Sequence, residues 1–129
     1  MTMQGNQIVD LMDDWLCRNG YEVKNKKYWT QPGHDIEATA PNGTLFYIEC
    51  KGSEPNGGGT EFGTGAKYDR AASAFFNQMR LRENEPQSEV GIAFPDDETY
   101  RSHMKALEEF CTRNRLRIFW VSEHSMNEW

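Results

Sequence analysis

Two short apolar segments on either side of Pro41-Asn42-Gly43 constrain this chain more than any other stretch of it. Residues 35–40 alternate polar with apolar side chains, 44–51 run apolar into Glu49-Cys50-Lys51, and Asn-Gly between two such strands is a strong hairpin signal. Two turns are compatible with the sequence. A two-residue turn on Asn42-Gly43 sets Asp35 opposite Cys50, whereas a three-residue loop over Pro41-Asn42-Gly43 pairs Ala40 with Thr44 and Asp35 with Glu49. The difference matters because a shift of one residue moves every side chain to the other face. Pro41 suits the first central position of a type I turn, Asn42 the second, and Gly43 accepts the positive φ of a bulge. We therefore expect the bulged turn. It gathers Asp35, Glu49 and Lys51 on one face and turns Phe46, Ile48 and Cys50 to the other.

Two carboxylates and a lysine at adjacent strand ends can hold a hard divalent cation and orient a water, the arrangement of a metal-dependent hydrolytic site. A Glu-x-Lys pair alone is common and usually marks a solvated edge. Here it follows an apolar strand, runs into Gly52, and faces a hairpin arm with an acid at the matching depth.

Gly33-His34-Asp35-Ile36 and Ile48-Glu49-Cys50-Lys51 together resemble the PD-(D/E)xK nuclease superfamily, although Pro32 stands three residues before Asp35 and not directly before it. The resemblance implies a restriction endonuclease-like fold and a Mg2+-dependent endodeoxyribonuclease acting on DNA. Asp35 and Glu49 would bind the cation, with the Cys50 backbone carbonyl between Glu49 and Lys51 as a third oxygen. Lys51 would orient the attacking water or stabilise charge growing on the phosphate. Mn2+ should substitute for Mg2+, because it takes the same ligands. By the same resemblance Gln78, on the helix after the Glu-x-Lys strand, and Asp10, on the first helix, are candidates for a supporting role near the metal. The plain readings are an exposed polar residue for Gln78 and a solvated helix acid for Asp10. His34 is expected to point to the face opposite Asp35 in a structural role. Many relatives dimerise, so a homodimer is a candidate assembly. The other readings open at this point are a non-catalytic nucleic-acid or protein binding module on the same fold and a hydrolase for another phosphoester.

At 129 residues the chain forms one domain with a core of its own. The net charge of −6 argues mildly against nucleic acid as a partner, but distribution matters more than the sum. Lysines 24, 26 and 27 cluster before the hairpin, and Lys67, Arg70, Arg80 and Arg82 follow the site. Lys24, Lys67 and Arg70 are the candidates for touching DNA. No run is apolar enough to span a membrane, and no basic-then-apolar leader opens the chain, so a cytoplasmic location is expected. Cys17, Cys50 and Cys111 are odd in number and widely spaced, which suggests neither a disulfide framework nor a zinc site.

Periodicity supplies the remaining elements. Residues 6–19 read as an amphipathic helix with Ile8, Leu11, Met12, Trp15 and Leu16 inward, started by Asn6 and ended by Gly20. Residues 21–30 read as a strand with a lysine-rich irregular middle. The glycine-rich residues 52–66 read as a loop, either a flexible surface segment or a cover over substrate. Residues 67–84 read as a helix with Ala71, Ala72, Phe75, Phe76 and Met79 inward, and 90–94 as a strand. Residues 98–113 read as a helix burying Tyr100, Met104, Leu107, Phe110 and Cys111, 116–121 as a strand and 122–129 as a loose tail. The order α-β-β-β-α-β-α-β gives an α/β fold, a mixed sheet flanked by helices.

Overall fold

The computed structural model describes residues 2–27 and 35–129. The chain runs α1 (Gly5–Arg18), β1 (Glu22–Lys26), β2 (Ile36–Thr39), β3 (Leu45–Cys50), α2 (Thr64–Asn84), β4 (Glu89–Pro95), α3 (Glu98–Lys105), α4 (Glu108–Arg113), β5 (Leu116–Val121) and β6 (Met126–Glu128). The six strands form one mixed sheet in chain order. Short turns make β1, β2 and β3 an antiparallel meander, helical crossovers make β3, β4 and β5 parallel, and β6 returns antiparallel on β5. The expected α/β class and mixed sheet are present.

The hairpin takes the bulged turn. The Gly43 amide donates to the Ala40 carbonyl at 2.8 Å, the Ala40 amide donates to Thr44 O at 2.8 Å, and Gly43 sits at φ +89°. Ile36 consequently pairs with Ile48 and Ala38 with Phe46.

The sheet separates two apolar layers. On one face Ile8, Val9, Met12 and Leu16 of α1 pack on Ile36, Ala38, Phe46, Ile48, Cys50 and Phe119. On the other, α2, α3 and α4 cover Tyr47, Val90, Ile92, Phe94, Ile118 and Trp120. Alternation along β3 assigns Tyr47 to the second layer and its neighbours 46 and 48 to the first, so Glu49 and Lys51 emerge on the α2 side. The sheet's edges are β1 and the three-residue β6; the sequence Glu-Val-Lys-Asn-Lys of β1 and its bulge between Val23 and Asn25 discourage pairing with another chain.

Four expectations need correction. The helix expected over 98–113 is two helices, broken at 106–107, and Phe110 turns outward to meet Phe75 with ring centroids 5.8 Å apart. No glycine or proline marks that break. The tail expected over 122–129 instead forms β6, held by Arg117 bridging both Glu128 oxygens at 2.7 and 2.9 Å, while Trp129 packs on Trp120. The α2 face turned inward is Lys67, Ala71, Ala74, Gln78 and Leu81, leaving Ala72 and Phe76 in solvent. The first helix is capped by Gln4, whose amide donates to the Gln7 side chain at 2.7 Å, and not by Asn6. Residues 28–30 of the expected first strand lie outside the described residues.

The loop after β3 is fastened to the start of α1. Ser53 and Glu54 amides both donate to the Met3 carbonyl, Met3 N donates to Ser53 Oγ at 2.9 Å, and Asn6 N donates to Asn56 Oδ1 at 2.9 Å. This approach requires a glycine at 52. A Cβ there would stand 2.7 Å from Gln4 C and 2.8 Å from the Met3 carbonyl oxygen, and closer still to the Gly5 nitrogen. Gly52→Ala is expected to cost about 1–3 kcal/mol or more, the usual penalty of overpacking against backbone that cannot yield. Urea denaturation checks it; an unchanged midpoint would contradict this docking.

Candidate functional site

The register that the bulged turn imposes has a chemical consequence at the far end of the hairpin. Because Ala40 and Thr44 exchange a backbone hydrogen bond, 38/46 and 36/48 are bonded pairs. One residue further, 35/49 falls at a non-bonded pair, where side chains approach most closely. Asp35 lies where β2 begins. Its backbone carbonyl accepts from Lys27 N at 2.7 Å, and its carboxylate Oδ2 accepts from the Cys50 amide at 2.7 Å. Asp35 thereby takes a place in the ladder through its side chain.

Asp35, Glu49 and Lys51 line one cleft of about 260 Å³ at the carboxyl end of β3. Gly5, Asn6 and Val9 from the start of α1 wall it on one side, with Asn56 from the loop and Arg70 from α2. The Lys51 ammonium stands 3.8 Å from a Glu49 oxygen, and both side chains are 18% exposed. Burial pushes the Glu49 carboxyl above its usual range, and Lys51 only partly opposes that rise. The Cys50 thiol is buried against the α1 layer and is pushed well up by that burial and by Asp35 and Glu49. Its backbone is better placed than its sulfur. A strand residue points N–H and C=O to the same neighbour, so the Cys50 carbonyl faces the Asp35 side as its amide does.

The donor set fits a hard divalent cation that keeps several waters. Two carboxylates and a backbone carbonyl offer oxygen only, which suits Mg2+ or Mn2+. Among the described residues no group of three or more His, Cys, Asp or Glu side chains comes together, so the donors present do not form a closed cage.

The other candidates divide. Gln78 is neither exposed nor at the cleft: it is 1% exposed, and its amide donates to Tyr47 O at 3.2 Å and Gly91 O at 2.8 Å, tying α2 to β3 and β4. Asp10 is an exposed helix acid that pairs with Lys26 at 3.4 Å, and it is not among the cleft residues. Lys24 pairs with Glu22 at 2.9 Å on the edge strand, apart from the cleft. Lys67 is 3% exposed and bonded to Glu61 at 2.7 Å and Asp97 at 3.0 Å, and it is not among the cleft residues. Burial lowers the Lys67 pKa, but the two carboxylates outweigh it and the net shift is upward. Arg70 does reach the cleft. Pro32, Gly33 and His34 lie outside the described residues. Asn6, Lys27 and Asn56 also line the cleft. Sequence reasoning gave none of the three a role there, since only the docking of loop on helix brings 6 and 56 together.

Comparison with protein-family models, with curated proteins and with solved structures finds no match.

Two outcomes follow from the electrostatics. A carboxyl raised in the folded state holds its proton more tightly folded than unfolded, so the metal-free protein loses stability as pH rises from the unfolded value through the raised one. Glu49→Gln removes that loss. In EDTA, urea unfolding from pH 4 to 8 should show the variant gaining on the parent as pH rises, and millimolar Mg2+ should narrow the gap by stabilising the parent alone. A gap independent of pH would contradict a desolvated Glu49. Lys67→Met should cost about 1.5–3 kcal/mol, the range for hydrogen bonds to charged groups, and urea denaturation reads the loss.

Proposed function

We propose that this protein is a metal-dependent nuclease that hydrolyses DNA phosphodiester bonds at the cleft of Asp35, Glu49 and Lys51, on a restriction endonuclease-like fold. The observation that supports this most is the bulged hairpin, whose register puts both carboxylates and the lysine in one cleft. The order of elements and the mixed sheet agree with the same reading.

Asp35 and Glu49 would hold the cation, with the Cys50 carbonyl beside them. When bound, Mg2+ supplies a Lewis acid that polarises a phosphate oxygen and lowers the pKa of a coordinated water. Glu49 is kept partly desolvated so that a cation meets little competing hydration, and loss of its proton accompanies metal binding. Asp35 is aimed by the Cys50 amide, which fixes one oxygen and orients the other. Lys51, held 3.8 Å from Glu49, presents an ammonium to the phosphate where negative charge grows in the transition state. The N-terminus of α1, at the cleft wall through Gly5 and Asn6, favours a polyanion on the same side.

Labelled linear duplex, single strand, flap and four-way junction DNAs, each with Mg2+, Mn2+ or EDTA, test the reading. Cutting should need metal and fall by about 10²–10³-fold in Lys51→Ala, the usual cost of one charge-stabilising donor, and at least as far in Asp35→Asn and Glu49→Gln. Binding without cutting on every substrate would favour a binding module. RNA cut in preference to DNA would revise the substrate.

A further inference from the structure

We infer that Arg70 grips the phosphate attacked at this site, and that the glycine-rich loop serves it as a platform through Phe62. The inference rests on the nuclease reading for the identity of the phosphodiester, but its geometry stands apart from the metal ligands.

Arg70 enters the cleft from the α2 side, while the start of α1 walls it elsewhere and Asp35, Glu49 and Lys51 belong to the strands. Its guanidinium lies over the Phe62 ring, 4.4 Å from the centroid. Its Nε is shielded from solvent and has no hydrogen-bond acceptor among the described residues. A buried guanidinium nitrogen without an acceptor is costly, and most such atoms find a partner. The other partly buried cations of this half of the molecule are already used: Lys67 by Glu61 and Asp97, Arg101 by Asp96. Arg70 makes no ion pair among the described residues and is the cation left with donor capacity at the cleft besides Lys27 and Lys51.

The surroundings hold Arg70 in place, and no carboxylate among the described residues pairs with it. Phe62 is fixed from behind, its amide donating to the Ser53 carbonyl at 2.8 Å, and Ser53 is itself bonded to Met3. Lys67, one turn earlier on α2, fastens the helix to Asp97, the residue that caps α3. The Tyr100 hydroxyl donates to Gly52 O at 2.7 Å, and the Arg70 charge and side-chain hydrogen bond partly offset the effect of burial on that phenol, so Tyr100 helps to hold the guanidinium. A flat guanidinium stacked on a ring at the cleft matches the two-oxygen geometry of a phosphate better than a lysine would. The loop is bonded to the start of α1, and that fastening sets Phe62 beneath Arg70.

The test joins kinetics to a spectroscopic signature of the arginine itself. In 15N-labelled parent protein with Ca2+ in place of Mg2+, hexathymidylate is titrated while the Arg70 Nε–Hε resonance is followed, with inorganic phosphate as a second probe. The resonance should shift and saturate with the oligonucleotide. Arg70→Ala and Arg70→Lys should each lower kcat/KM about 10- to 100-fold with melting temperature unchanged, and Arg70→Ala should reduce the salt slope of binding by about one charge. Phe62→Leu, which keeps bulk but removes the ring, should weaken cutting in the same direction. A parent enzyme that cuts while Arg70→Ala matches its kcat/KM overturns this inference and leaves the nuclease reading standing. A parent that cuts nothing, yet whose Arg70 resonance shifts with oligonucleotide, keeps the phosphate grip and removes the hydrolytic reading. An unmoved resonance overturns the grip whatever the activity, and it needs no variant to fold.

Discussion

Side chains alternate faces along a strand, so one extra residue in the turn at 41–43 determines what Asp35 can meet fifteen positions before Cys50. With Gly43 at φ +89° the arms pair 36 with 48, and Asp35 comes to the same end and face as Glu49. A tighter turn would have buried Asp35 in the α1 layer beside Ile48 and Cys50, where no charge is compensated. The same register puts Phe46 and Ile48 into that layer and Tyr47 into the other. Core and cleft are therefore set by one constraint, and neither can slip without the other.

The second constraint is contact between backbone and backbone. The exit of β3 runs so close to the start of α1 that only glycine fits at 52, and the hydrogen bonds of Met3 and Asn6 hold the following loop against the helix. A segment that composition makes look slack is thereby turned into a wall of the cleft. It also carries Glu61 and Phe62 to α2, where one pairs with Lys67 and the other lies beneath Arg70. Fixed loops of this kind position functional groups because the scaffold removes their freedom in advance.

The cleft holds charge at some expense of stability. Glu49 is desolvated with Lys51 only partly opposing the effect, and a buried Arg70 nitrogen has no acceptor among the described residues. Elsewhere Arg117 bonds Glu128, Glu89 and Tyr21, and Lys67 bonds two carboxylates. A desolvated carboxyl and a cation with no ion pair among the described residues, both in one cleft, are where a functional site is expected.

The hairpin was legible in the sequence because its signals are local. Pro41, Asn42 and Gly43 each prefer one turn position, and the period-2 alternation then sets every partner. The α1 stripe was legible for the same reason, since Ile8, Met12 and Leu16 recur at helical spacing and all are buried. The face of α2 was not. It buries Lys67 and Gln78 and exposes Phe76, which inverts the hydrophobic pattern. The inversion holds because Asp97 and the Tyr47 and Gly91 carbonyls, which reach α2 from distant parts of the chain, complement those polar groups. Likewise β6 needed Arg117 and Trp120 before its last residues had anything to bind. The sequence alone determined the strand register, and with it the union of Asp35, Glu49 and Lys51, because turn chemistry acts over a few residues. Only the tertiary structure decided which cations are spent and which face the cleft, because a polar group's role depends on partners that folding brings from elsewhere in the chain.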